Sequence, residues 1–323
     1  MAECGSILDF PVAMPPSTSD SSILVTGATG MVGRALISRL HGAQPQRPLH
    51  ILTRKPSQAN FAEASVRAFS WFPDLGEIDP AALDGVGQIV HLAGEPVAQR
   101  WTPSVKARIM ESRVSTLALL RQACQSQGIA PRIISASAIG WYEQGEMRRS
   151  ESDPAGPGFL SEVVQRWEQA AQDLGQLGGG EVRLRIGLVL DPNGGVLHQL
   201  APLYRWGLGT ALAPGTQWQS WIHSDDLVSI IEHALCTPEW KGAFNAVAPK
   251  PVRQEEFSRT LARVLLRPHL LPPVPQWAIR LRFGEAASAL LSSHRIQCHK
   301  LITSGFEYAH PELEGALRSF WPK

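Results

Sequence analysis

The chain has 323 residues and carries 30 Lys plus Arg against 29 Asp plus Glu, a net charge of +1. That balance excludes a partner held by broad positive charge, nucleic acid or an anionic membrane surface. No apolar run reaches the roughly 20 residues that cross a bilayer, and the length suits one domain with a smaller lobe.

Residues 1–22, rich in Pro and Ser and without Lys or Arg, are expected to form a disordered leader that is neither a secretory signal nor a transit peptide. The run Ile23-Leu24-Val25 then reads as a buried strand. It meets a turn with glycines at 27, 30 and 33, followed by apolar residues at helical spacing from Arg34 to Leu40. Strand, glycine turn and helix in this register make a dinucleotide site. Gly27 permits the tight turn, Gly30 leaves room for a pyrophosphate, and Gly33 lets the helix pack on the strand. Backbone N–H groups at the helix start face the phosphates.

Gly42 is the expected helix stop, and residues 48–53 read as the second strand. Its end meets the adenosine ribose. An acid there would select NAD, whereas Thr53-Arg54-Lys55 offers a guanidinium to a 2′-phosphate, so the expected cofactor is NADP(H). Residues 66–70 and 87–95 are further strands, the second ending in the small-residue turn Leu92-Ala93-Gly94. His91 reads as a packed strand residue. A long helix over 103–127, a strand over 131–137, a helix over 159–174 and a strand over 181–190 complete an alternation that implies a parallel sheet wound on both faces. Beyond Asp191 the rhythm changes. A short helix over 200–209, a helix from Ser224 or Asp225 to Leu235, a strand at 244–247 and helices over 254–266 and 276–291 form a C-terminal lobe. The expected division is a leader at 1–22, a cofactor-binding core at 23–190, and a lobe at 191–323 that completes the substrate pocket. Trp141, Trp218 and Trp221 fall in loops expected to line that pocket. Cys4, Cys124, Cys236 and Cys298 lack metal-ligand or redox spacing, so no metal is expected, and they fit a reducing, cytoplasmic setting.

Several strings together resemble one family: His91-Leu92-Ala93-Gly94-Glu95-Pro96, Ser112-Arg113, Ser135 to Tyr142, Arg166-Trp167-Glu168, Arg185 to Leu190, Trp221 to Leu227 and Phe244 to Pro249. The chain is similar to the atypical short-chain dehydrogenase/reductases of the epimerase family, nucleoside-diphosphate-sugar-epimerase-like, with a C-terminal domain of unknown function at about 251–323. The resemblance implies a Rossmann-type α/β fold with a smaller C-terminal α/β lobe. It places Gly27, Thr29, Gly30, Met31 and Val32 at the phosphates, Thr53 and Arg54 at the adenosine, and Leu92, Ala93 and Gly94 along the cofactor. Arg113 is then expected at the pyrophosphate or the nicotinamide side, and Val189 against the nicotinamide.

Hydride chemistry in that superfamily uses a Tyr proton relay, a Lys four residues on that lowers its pKa, and an orienting Ser. Ser137 stands where that Ser is expected. Counting back from Glu168, the Tyr and Lys positions fall on Leu160 and Val164, so the standard dyad is absent. Tyr142 is the nearby phenol that can stand in, and it reads equally as a packing aromatic. Two functions follow: an NADP(H)-dependent, epimerase-like oxidoreductase of a small molecule with a non-standard proton donor, or a catalytically weak NADP(H) sensor acting through a protein partner.

Overall fold

The computed structural model describes residues 21–321. The first twenty residues of the expected leader lie outside this range, and the first strand begins at Ser22, inside the predicted leader boundary. In chain order the first half runs β1 (Ser22–Thr26), α1 (Met31–Ala43), β2 (Leu49–Thr53), β3 (Val66–Phe72), β4 (Glu77–Ile78), β5 (Val86–His91), α2 (Pro103–Ser126), β6 (Arg132–Ala138), β7 (Arg148–Arg149) and α3 (Phe159–Gly175). There follow β8 (Glu181–Ile186), β9 (Leu188–Asp191), α4 (Gly195–Arg205), β10 (Trp218–Gln219), β11 (Trp221–His223), α5 (Ser224–Cys236), β12 (Gly242–Ala246), β13 (Val252–Arg253) and α6 (Gln254–Val264). The chain closes with α7 (Gln276–Phe283), α8 (Ala287–Leu290), β14 (Arg295–Ile296), α9 (His299–Thr303) and α10 (Leu313–Phe320).

Eight strands form the central sheet in the order β12-β8-β6-β5-β1-β2-β3-β4. All neighbours are parallel except β3 and β4. Both faces are covered, which is why the strands read as continuous apolar runs. Ile23 and Val25 join Leu36, Ile37 and Leu40 of α1 and Ile230 and Ile231 of α5 on one face. Leu24 between them joins Leu117 and Leu120 of α2 and Trp167 and Leu174 of α3 on the other. The order reverses between β1 and β5. That makes their carboxyl ends the crevice where a doubly wound sheet takes its ligand.

Three local expectations need correction. The predicted strand over 181–190 is two strands, because the chain leaves the sheet at Gly187. There a Cβ would lie 2.5 Å from the Ser220 carbonyl oxygen, and β9 beyond it pairs with β11 instead. The predicted helix over 276–291 is broken at Gly284, whose φ of 60° ends α7. The first helix runs through Gly42 to Ala43, since a Gly that keeps helical angles does not stop a helix whose inner face is buried.

Candidate active site

The crevice begins where Gly27 follows β1. Its φ is +69°, and a Cβ there would sit 2.7 Å from the Leu92 carbonyl carbon and 2.8 Å from the Ala93 nitrogen. Two strand ends therefore touch backbone to backbone at this point. At Gly33 a Cβ would come within 2.3 Å of the Gly27 oxygen, so the start of α1 rests directly on the turn. Gly30 differs from both. Its φ of −75° and ψ of 172° suit any residue, and a Cβ would meet nothing nearer than the Gly27 oxygen at 3.2 Å. The backbone angles at 30 do not demand glycine, and a Cβ there would need the Gly27 carbonyl to give by a few tenths of an ångström.

No side chain caps α1 and no acid stands in its first turn. The N–H groups of Met31, Val32 and Gly33 find no acceptor among the described residues. Backbone donors left open at a helix start in this crevice are of the kind that suits an anion. Thr29 is exposed beside it, and its carbonyl accepts from Arg34 Nε, a residue the sequence reading did not single out. Arg34 also lies 5.4 Å over Phe61 and so ties the turn to the loop after β2. Thr53 ends β2 half-buried, and the exposed Arg54 makes no hydrogen bond or ion pair among the described residues.

The neighbouring strand end is held by a relay through His91, which is wholly buried. Thr116 donates to the Ser112 carbonyl at 2.9 Å, which leaves its oxygen to accept from His91 Nε2 at 3.4 Å. Nδ1 is then the acceptor for the Thr26 hydroxyl at 2.9 Å, and Thr26 accepts in turn from the Ala93 N–H at 3.2 Å. Burial, helped by Arg113, drives the His91 pKa down to about 3, so the ring is neutral. It is a packed strand residue that shapes the Leu92-Ala93 turn. Arg113 donates to the Ile109 and Glu95 carbonyls at 2.9 and 3.0 Å and lies 5.0 Å over Trp167. The missing side chain of Gly94 lets the guanidinium fit beneath the turn.

An inner pocket of about 270 Å³ opens beyond the ends of β6 and β8, walled by Leu160, Val164, Trp167, Gly187 and Arg113. It meets an outer hollow of about 850 Å³ along α7 and α8, the two sharing Gly140, Leu160 and His294. Leu160 and Val164, the positions counted out for the Tyr and Lys, are thus apolar wall. Met31 packs against the loop at Gly194, and Val189 is half-buried against the core.

Ser137 and Tyr142 are brought together in a buried network; Tyr142 lines the outer hollow, and neither residue lines the inner pocket. Ser137 is 3% exposed and donates to Glu168 Oε1 at 2.7 Å. Arg185 grips both oxygens of Glu168, at 2.8 and 3.0 Å, and donates to the Tyr142 oxygen at 2.9 Å. Tyr142 donates onward to Asn245 Oδ1 at 2.6 Å. Burial, against the pull of Arg185, pushes the phenol up to about 12. Both hydroxyls are committed to a closed network. Glu168 on the buried face of α3 and Arg185 on a central strand stood in the sequence as charged residues without a role; that was the signal for this network.

Of the three tryptophans expected at the pocket, only Trp218 lines it. Trp221 is fully buried in another cluster with its Nε1 on the Lys250 carbonyl, and Trp141 lies 4.0 Å from the Arg185 guanidinium. The pocket contains instead a residue the sequence reading passed over. His294 is 8% exposed, its Nδ1 has no partner, and burial lowers its pKa to about 4. His223, Asp225 and His310 also converge. There His223 Nδ1 caps the Asp225 N–H, Nε2 meets Ser319 Oγ, and the two imidazoles stack at 3.8 Å. With both ring nitrogens engaged, this cluster docks the C-terminal segment on α5 rather than offering a metal its ligands.

Residues 23–159 match the NAD dependent epimerase/dehydratase family, and residues 274–320 match the domain of unknown function DUF1731. The "Epimerase family protein SDR39U1 homolog, chloroplastic" of Arabidopsis thaliana is 34% identical, covering 93% of this chain and 87% of that one. The chain belongs to this epimerase family. A relative from Staphylococcus saprophyticus, also named an epimerase family protein, is 36% identical over 91% of this chain and 97% of its own. Among solved structures, human epimerase family protein SDR39U1 (isoform2) with NADPH superimposes with a TM-score of 0.79 at 27% identity, covering 93% and 98% of the two chains. UDP-glucose 4-epimerase of Thermus thermophilus, at 19% identity and a TM-score of 0.70, shares the fold. The chain is therefore an NAD(P)-binding epimerase-family protein of SDR39U1 type. No helix among the described residues is long and apolar enough to cross a membrane. The Arabidopsis name places one relative in the chloroplast, so membership alone does not assign a compartment.

Proposed function

We propose that the chain binds NADP(H) and carries out hydride chemistry on a small, largely apolar carbonyl or alcohol. The observation that carries the reading is the uncapped start of α1 beside Gly30, where three backbone N–H donors are open. The Gly27–Gly33 turn would hold the pyrophosphate, Thr53 and Arg54 the adenosine with its 2′-phosphate, and Leu92 and Ala93 the length of the cofactor. Gly94, Arg113 and Val189 flank the nicotinamide side. The solved human relative with NADPH supports the same choice of cofactor. Residues 23–190 supply this groove, and 191–323 close the pocket over it.

When bound, the nicotinamide supplies or accepts the hydride. The protein's part is to hold the substrate oxygen and manage its proton. Ser137 and Tyr142 are engaged elsewhere, and we assign them to positioning Arg185 and β6 rather than to the proton. His294 is the neutral ring in the pocket: its Nδ1 is buried without a partner, its Nε2 makes no hydrogen bond among the described residues, and we assign the substrate oxygen to Nε2. The inner pocket is mainly apolar, and its one guanidinium, Arg113, donates to the Ile109 and Glu95 carbonyls, which suits a largely uncharged substrate.

Titration of NADPH and NADH tests the cofactor. NADPH binds more tightly, and Arg54→Ala weakens it by about 1.5–3 kcal/mol with little effect on NADH. Equal affinities in the parent chain overturn the assignment. For catalysis, sugar nucleotides, quinones and small carbonyls are screened by NADPH absorbance. Small apolar carbonyls turn over, and His294→Ala lowers kcat/KM with NADPH affinity unchanged. Tight NADPH binding with no turnover on the panel would favour a cofactor sensor.

A further inference from the structure

Trp218 also faces a second cleft, of about 560 Å³, that shares no other residue with the inner pocket. Arg148, Arg295, Lys250 and His299 line it with the indole, and no Asp or Glu does. Arg148 and Arg295 stand directly opposite each other, because β7 and β14 pair in parallel with these two residues in register. Like charges so placed repel. Neighbouring arginines are answered: Arg149 by Glu143 and Asp153, Arg253 by Glu146. Arg148 and Arg295 make no hydrogen bond or ion pair among the described residues. Arg295 lies over the Trp218 ring at 4.2 Å, with Arg253 over the same ring at 3.9 Å. Glu146 is the acid whose charge Arg295 feels, but its oxygens accept from Arg253 and from Trp218 Nε1. Lys250 pairs with Glu312 at the rim.

We propose that this cleft is a second ligand site, built for a phosphoryl or pyrophosphoryl group and separate from the dinucleotide groove. Two adjacent unanswered guanidiniums call for a dianion, which a phosphoryl group supplies and a single carboxylate does not. The size is that of a small-molecule site. A chain of net charge +1 does not collect such a cluster through general basicity.

The test is calorimetric titration of inorganic pyrophosphate, phosphate and acetate into the full chain, repeated in Gly30→Val, whose dinucleotide groove is obstructed. Pyrophosphate binds once per chain in both, more tightly than phosphate, and acetate does not bind. Arg148→Ala, an exposed change, weakens pyrophosphate at least tenfold. Arg295→Lys, which keeps charge and bulk, weakens it less than Arg295→Ala. Absence of binding, binding indifferent to Arg148→Ala, or binding that disappears in a folded Gly30→Val chain overturns the proposal. The last result would mean that pyrophosphate reads only the cofactor groove. Failure of NADPH to bind leaves the Gly30→Val titration fully informative, so the two readings fail separately.

Discussion

Two polar constellations lie at the carboxyl edge of the same sheet, and they are built on opposite principles. At the α1 turn, donors are left open beside a glycine whose backbone angles suit any residue. Farther along the same edge, by β6 and β8, Ser137, Glu168, Arg185, Tyr142 and Asn245 satisfy one another, with Glu168 only 2% exposed. Open groups cost stability unless something arrives to meet them, whereas a closed buried network specifies the packing around it. The contrast teaches that chemistry-bearing residue types do not mark a binding site by themselves; unmet hydrogen-bonding capacity does.

The hardest blow to the closed side is Glu168→Ala. It strands Arg185 and removes a partner from Arg183, and it should cost about 3–5 kcal/mol of stability, read by urea unfolding. A loss under 1 kcal/mol would mean the network is solvated and the contrast is false. On the open side, Gly30→Val should weaken NADPH at least a hundredfold, roughly 2.7 kcal/mol, while the melting temperature barely moves. Gly33→Val should lose the fold along with the cofactor, because its Cβ enters the turn backbone. If the two variants behave alike, Gly30 is structural after all.

Acid should sharpen the comparison next. His91 and His294 have folded-state pKa values lowered to about 3 and about 4 from an ordinary 6.5. Between those values the unfolded chain binds more protons, so their contribution is complete above about pH 6.5 and is lost as pH falls. At pH 5 each ring should cost roughly 2 kcal/mol relative to pH 7.5, and His294→Gln should flatten its share of the slope. A parent and variant with the same slope would show His294 to be solvated. The smallest effect is expected at Tyr142→Phe, about 1–2 kcal/mol of stability through an unmet Asn245 oxygen, with NADPH affinity and turnover retained. Loss of turnover in a stable Tyr142→Phe chain would return the phenol to the proton path.

Local pattern alone determined the β1–turn–α1 unit, the parallel sheet wound on both faces and the placing of Arg54 at the end of β2. Each depends on residues close in sequence, where periodicity and glycine spacing act directly on the backbone. His294 was beyond that reach, because its place in the pocket depends on residues 276–294 folding back more than 100 positions onto β6 and α3. The fates of Ser137 and Tyr142 were hidden for the same reason. Nothing near either hydroxyl in sequence says that Glu168, Arg185 and Asn245, from one helix and two further strands, will take up its hydrogen bonds. Sequence determined which backbone forms the crevice; tertiary packing decided which side chains still have a hydrogen bond to give when a ligand enters it.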